Sequence, residues 1–135
     1  MRFVFDTNVY ISAFIVPGSK SDLAYRLAER GVFDLVVSGA ILRELKDKLG
    51  SGFGYSEQEI RDVESSVSRV ATIFEPEVEL SAVNDEPDNR ILECAVASAA
   101  SAIVTGDRHL LALGSYGDIR IMTVSELLYT FPEMP

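Results

Sequence analysis

Apolar runs of three to five residues recur along the chain at 3–5, 34–37, 70–74, 102–104 and 119–122, and the stretches between them adopt the three-and-four spacing of helices. Short strands alternating with helices predict right-handed crossovers onto a mostly parallel sheet, with helices on both faces. The expected architecture is a three-layer α/β/α domain built on a sheet of five strands.

The helical segments carry their own punctuation. Ser19 or Ser21 can cap a helix that ends at Gly31 and buries Leu23, Ala24, Leu27 and Ala28. Ser38 can cap the next, whose stripe is Ile41, Leu42, Leu45 and Leu49. The run Gly50-Ser51-Gly52-Phe53-Gly54 is expected to break that helix and act as a hinge or tight corner. It does not match a phosphate-binding loop, because no Gly-Lys-Ser/Thr ending follows and no strand leads directly into it. Ser56 and Glu59 then form a capping box ahead of a helix burying Ile60, Val63 and Val67. A single domain is expected over 1–130. Phe131-Pro132-Glu133-Met134-Pro135 cannot continue a helix, so 131–135 is expected to be a loose tail.

At 135 residues the chain can bury roughly two thirds of its unfolded surface without a disulfide or structural zinc. Cys94 is the only cysteine, which rules out an intrachain bridge and suits a free buried thiol in a cytoplasmic protein. The N-terminus runs straight into Phe3-Val4-Phe5-Asp6, without the apolar core or small-residue cleavage site of a signal peptide. The longest apolar-leaning stretch, 91–104, is interrupted by Glu93, Ser98 and Ser101 and falls short of the ~20 residues of a membrane span. A cytoplasmic location with no membrane contact is the expectation.

The net charge of -9 weighs against a broad nucleic-acid footprint, which is ordinarily basic. Two divalent ions would bring it only to -5, so any contact with nucleic acid must rest on a local basic patch. From 75 to 88 the chain holds six acids and neither Lys nor Arg, so much of the excess is local.

Asp6, Glu44 and Asp107 fall at or just beyond the far ends of strand-like runs, and Asp88 opens a helix. In an open α/β sheet that edge is where ligands bind. Gathered carboxylates repel one another and resist ionising unless a cation sits between them, and Mg²⁺ and Mn²⁺ favour all-oxygen surroundings. Helical phase puts Asp88 in line with Ile91, Leu92, Ala95 and Ala99, facing the sheet, although a helix N-cap would also account for it. Glu44 flanks its helix's apolar stripe and can instead pair with Lys48 one turn on.

Asp-Thr-Asn after the first strand, an acid on the helix after the second, Asp-x-x-Ile-Leu-x-x-Ala at 88–95 and Thr-Gly-Asp at 105–107 together resemble the PIN-domain ribonuclease family. The likeness runs in order from residue 3 to about 128 and is closest to the small bacterial and archaeal toxins of toxin-antitoxin pairs. It implies metal-binding catalytic acids at Asp6, Glu44, Asp88 and Asp107, with Thr7, Asn8 and Thr105 as polar supports and Asp85 as a marginal further acid. It also implies hydrolysis of single-stranded RNA to a 5′-phosphate product with one or two Mg²⁺ or Mn²⁺ ions, a homodimer, and an antitoxin laid across the cleft. Metal-activated water needs no protein nucleophile, in keeping with a chain that has no Ser-His or Cys-His arrangement.

Arg90 and Arg108, each close in sequence to a proposed ligand, are candidates to touch substrate phosphate, with surface ion pairs as the competing explanation. His109 invites a general-base role because histidine titrates near neutrality, but a surface or capping histidine fits its place equally. A phosphoaspartyl enzyme or receiver domain also puts an Asp after its first strand. Position 8 is Asn rather than the second Asp of such a phosphatase, and no Lys follows Lys48. The remaining alternative is a non-catalytic PIN-like metal- or protein-binding module, which the net charge favours.

Overall fold

The computed structural model describes residues 1–132. The chain runs β1 (Arg2–Phe5), α1 (Thr7–Ile15), α2 (Lys20–Glu29), β2 (Asp34–Val37), α3 (Gly39–Phe53), α4 (Glu57–Val70) and β3 (Ala71–Ile73). It continues through α5 (Glu86–Ala97), β4 (Ala102–Val104), α6 (Arg108–Leu113), β5 (Ser115–Tyr116), β6 (Ile119–Met122) and α7 (Val124–Thr130). The sheet order is β3-β2-β1-β4-β6-β5, parallel throughout except for β5 against β6. This is the α/β architecture expected, with six strands where five were anticipated. The extra strand is a two-residue arm folded back on β6 through Gly117-Asp118, with Gly117 at φ 60° supplying the left-handed backbone such a turn needs.

The order of the strands places the site. From β1 the chain builds outward to β2 and β3, then returns across the sheet to insert β4 on the other flank of β1, with Phe5 opposite Val104. The carboxyl ends of β1 and β4 therefore flank the point where the winding reverses, where the flanking connections leave in opposite directions and a crevice opens. Asp6 follows β1 directly, and its backbone N–H still donates to Val104 O at 2.9 Å.

Strands β1, β2 and β4 are buried on both faces, with Val4, Phe5, Val36, Ile103 and Val104 inaccessible or nearly so. Such strands read as continuous apolar runs. On one face Phe3, Phe5 and Phe33 form an aromatic cluster with edge and tilted contacts. Tyr10 of α1 joins it through Phe5. Because α1 buries Val9, Tyr10, Ile11 and Ala13 together, it lacks a single apolar stripe.

Ser19 and Ser38 cap their helices through their side chains, and Ser56 with Glu59 makes both bonds of the capping box. The glycine run does not break α3 where expected. The helix continues through Gly50 and Gly52 to Phe53, and only Gly54, at φ 67°, terminates it. A Cβ on Gly50 would sit 3.2 Å from Ile60 Cδ1, so that glycine lets α3 and α4 approach closely rather than ending a helix. Phe131, assigned to the tail, stacks on Phe33 at 5.7 Å between ring centroids and meets Phe3 edge-on. That part of the tail expectation is corrected, since an apolar ring gains by covering the aromatic cluster. Residues 133–135 lie outside the described residues.

Candidate active site

Asp6 occupies the N-cap position of α1 and is 6% exposed. Its Oδ2 accepts the Thr105 hydroxyl at 2.7 Å. Thr105 is fully buried just after β4, and the same Oγ1 accepts the backbone N–H of Asp107 at 2.9 Å. Asp107 caps α6 in turn, its Oδ1 taking the N–H groups of His109 at 2.7 Å and Leu110 at 3.3 Å. One oxygen of Asp107 is thus committed to its helix. The other has no donor among the described residues.

Asp88 enters from α5, where it is the third helical residue and 5% exposed. It is not the cap. That position belongs to Asp85, whose carboxylate makes no capping bond. Asp88 Oδ2 is buried without any hydrogen-bond partner. Burial and then the charges of Asp107, Asp85, Asp6 and Glu44 push its carboxyl up to about 7. Burial likewise raises Asp6, with Asp107 adding to the rise and the Thr105 hydrogen bond and Lys48 opposing it. The acids from four separate elements therefore share one electrostatic neighbourhood.

Glu44 is half-buried on α3, and its Oε1 lies 3.2 Å from Lys48 Nζ, the ion pair weighed as the alternative to a ligand. Lys48 also reaches Asn8 Oδ1 at 3.5 Å and so stands as the cation beside the acids. Sequence reasoning met Lys48 only as a partner for Glu44, and its nearness to Asp6 depends on α1 packing against α3. Asn8 is exposed on α1, whereas the Thr7 hydroxyl is buried and unpaired.

The two arginines part company. Arg90 gives NH1 to Glu86 at 3.2 Å and NH2 to both Glu93 at 2.7 Å and Leu80 O at 3.1 Å, bracing α5 against the loop before it. Of the two readings weighed for Arg90, the ion pair is the one present, its guanidinium engaged by two carboxylates. Arg108 is exposed at the first position of α6, next to Asp107, and makes no ion pair among the described residues. His109 lies in the same cleft as Asp85 and Asp88, a juxtaposition that one helical turn could not establish from sequence.

No three His, Cys, Asp or Glu side chains among the described residues form a ready-made metal-holding group. The chemistry of the donor set nonetheless suits a hard divalent ion, since it consists of carboxylate oxygens with no sulfur or imidazole among them. Asp88 adds an unpaired buried oxygen for which no protein donor is supplied. Thr105 and the α6 backbone hold Asp6 and Asp107 in fixed orientations, the support that metal-ligating carboxylates ordinarily receive.

The PIN domain family profile matches residues 2–109, a span that includes all four acids. The chain belongs to the PIN-domain family. This PIN domain is 34% identical over 122 residues to the uncharacterised protein MJ1680 of Methanocaldococcus jannaschii, a match covering 84% of this chain and 75% of that one. Its fold is similar to that of a chain in the structure of VapBC2 from Rickettsia felis bound to a DNA fragment from their promoter. The TM-score is 0.63 at 14% identity, covering 91% of this chain and 98% of the other. PIN domains are typically nucleases that use divalent metal ions. Among the described residues no helix is long and apolar enough to cross a membrane.

Proposed function

We propose that this PIN domain is a Mg²⁺- or Mn²⁺-dependent endoribonuclease that hydrolyses phosphodiester bonds of single-stranded RNA, with Asp6, Glu44, Asp88 and Asp107 as the residues that hold the metal. The observation that carries this reading is Asp88: a buried carboxylate with an unpaired oxygen, raised first by burial and then by the charges of Asp107, Asp85, Asp6 and Glu44. Such an arrangement costs stability unless a cation occupies it, and perturbed acids at a crevice mark functional sites. The chemistry such an ion supplies is acidification of a water and stabilisation of the charge that builds on the phosphate.

The chain's own residues do the rest. Thr105 fixes Asp6 and Asp107 relative to one another, and the N-terminus of α6 orients one face of Asp107. Lys48 lies 3.2 Å from Glu44 and offsets the negative charge of the acids where an ion would otherwise sit, and Arg108 supplies an exposed cation beside Asp107 for an RNA phosphate. Cys94 is no candidate nucleophile, because burial pushes its thiol up to about 12.

A role as the toxin of a toxin-antitoxin pair is supported by the likeness of its acid motifs to the small PIN toxins and by the fold shared with a VapBC2 chain. The same reading brings a cytoplasmic location, a homodimer and a protein antitoxin. A stable monomer by light scattering at micromolar concentration would count against the dimer, and relief of RNA cleavage by a neighbour-encoded protein would support the antitoxin.

The test is cleavage of a single-stranded RNA in Mn²⁺ by wild type and Asp6→Asn. Loss of cleavage in the variant supports the reading. Equal cleavage by both points to a contaminating nuclease, and no cleavage by either favours a PIN-like binding module without catalysis.

A further inference from the structure

Beside Asp88 opens a cleft of ≈ 530 Å³ lined by Ala82, Val83, Asn84, Asp85, Asp88 and His109. Its size is within the range of small-molecule sites. One wall is the loop at 82–85, and that wall is built rather than loose. Asn89, fully buried on α5, accepts the Val83 N–H at 3.0 Å and donates through Nδ2 to Val83 O at 2.9 Å and Glu86 Oε1 at 3.2 Å. Both backbone groups of Val83 are thereby held by one side chain. His109 contributes to the lining from α6, where its backbone is tied to Asp107.

The cleft's chemistry selects its occupant. Asp85 and Asp88 contribute two acids and the lining contains neither Lys nor Arg, so a phosphate is repelled there. The wall offers alkyl groups from Ala82 and Val83 and a flat imidazole from His109. The part of an RNA strand that matches is the uncharged base, which has a π-face for stacking and N–H groups for a carboxylate to accept.

We propose that this cleft receives a nucleobase of the RNA strand adjacent to the phosphate being cut, with His109 stacking on its face and Asp85 accepting hydrogen bonds from its N–H edge. The inference rests on the ribonuclease reading and adds a base-binding subsite to it. The acid centre acts on the backbone, while the cleft grips a neighbouring base and sets which bond is presented. Bases with an amino or imino donor on the exposed edge gain most from Asp85. Asp85→Asn shifts preference away from them.

The test compares kcat/KM on an intact single-stranded RNA oligonucleotide with kcat/KM on oligonucleotides carrying one abasic position near the cut, for wild type, His109→Ala and His109→Phe. Wild type loses about 5- to 150-fold when the base that occupies the cleft is absent, the range of a stacked base. His109→Ala loses a similar factor on intact RNA and becomes insensitive to the abasic position, whereas His109→Phe recovers both. Mn²⁺ affinity, measured by calorimetry, stays at the wild-type value in His109→Ala. An active wild type with an equally active His109→Ala, or a His109→Ala that keeps its sensitivity to the missing base, overturns the subsite alone. A wild type that cleaves no RNA while folded and Mn²⁺-bound overturns both the subsite and the ribonuclease reading.

Discussion

Thr105 gives its hydroxyl proton to Asp6 Oδ2 at 2.7 Å and receives the backbone N–H of Asp107 at 2.9 Å, so one fully buried side chain ties the acid after β1 to the acid after β4. Thr105→Val keeps the shape but leaves Asp6 without its donor and the Asp107 N–H without its acceptor. The expected cost is about 1–3 kcal/mol of stability and about 10- to 100-fold in Mn²⁺ affinity. Thr105→Ser restores most of both. Chemical denaturation and calorimetric titration measure the two quantities, and wild-type Mn²⁺ affinity in Thr105→Val would contradict the assigned role.

Metal-free protein should lose stability as pH rises, relative to a variant lacking the Asp88 charge. Below about pH 4 the Asp88 carboxyl is protonated whether the chain is folded or not. Between that point and about 7 the unfolded chain releases the proton while the folded one retains it, so stability falls through this window, and above it the loss is complete. Raised Asp6 acts in the same direction. Asp88→Asn is therefore more stable than wild type at pH 8 without metal, and the gap closes at pH 4. Thermal melts at both values read this out; a variant less stable than wild type at pH 8 would contradict it.

Lys48 pairs with half-buried Glu44 across one helical turn, which is worth only about 0.3–0.5 kcal/mol. Lys48→Met should leave the melting temperature almost unchanged. Removing a positive charge beside Asp6 and Glu44 should tighten Mn²⁺ binding about 2- to 10-fold at low ionic strength, with the effect fading as salt is added. Weakened binding at every salt concentration would show that Lys48 positions Glu44 rather than competing with the ion.

Cys94 is inaccessible and its thiol is pushed up to about 12. A thiol reagent at pH 8 should therefore modify the folded protein negligibly over the time in which the denatured chain reacts fully. Rapid labelling under native conditions would mean that α5 opens locally.

The alternation of apolar runs and capped helices made the layered α/β fold legible, because Ser19, Ser38 and Ser56 act locally and strands buried on both faces need continuous apolar runs. The β5 arm escaped notice although Gly117-Asp118 is a hairpin signal, since two residues are too few to show alternation. Gly50 in α3 misled because its reason is Ile60 on another helix. At the site, helical phase was enough to turn Asp88 inward. The pairing of Arg90 with Glu86 and Glu93 was also within its reach, as neighbours four and three residues apart on α5, but it could not show that Asn89 would clamp Val83 beside His109, because those partners meet only when the loop folds back on α5.

The central claim is that Asp6, Glu44, Asp88 and Asp107 together hold a divalent cation. Crystals grown with Mn²⁺ and measured at the manganese absorption edge test it without assuming any substrate. The account predicts an anomalous peak within direct or single-water reach of these carboxylates, lost in Asp88→Asn. A structure with manganese bound elsewhere on the protein and none among these four acids would contradict it.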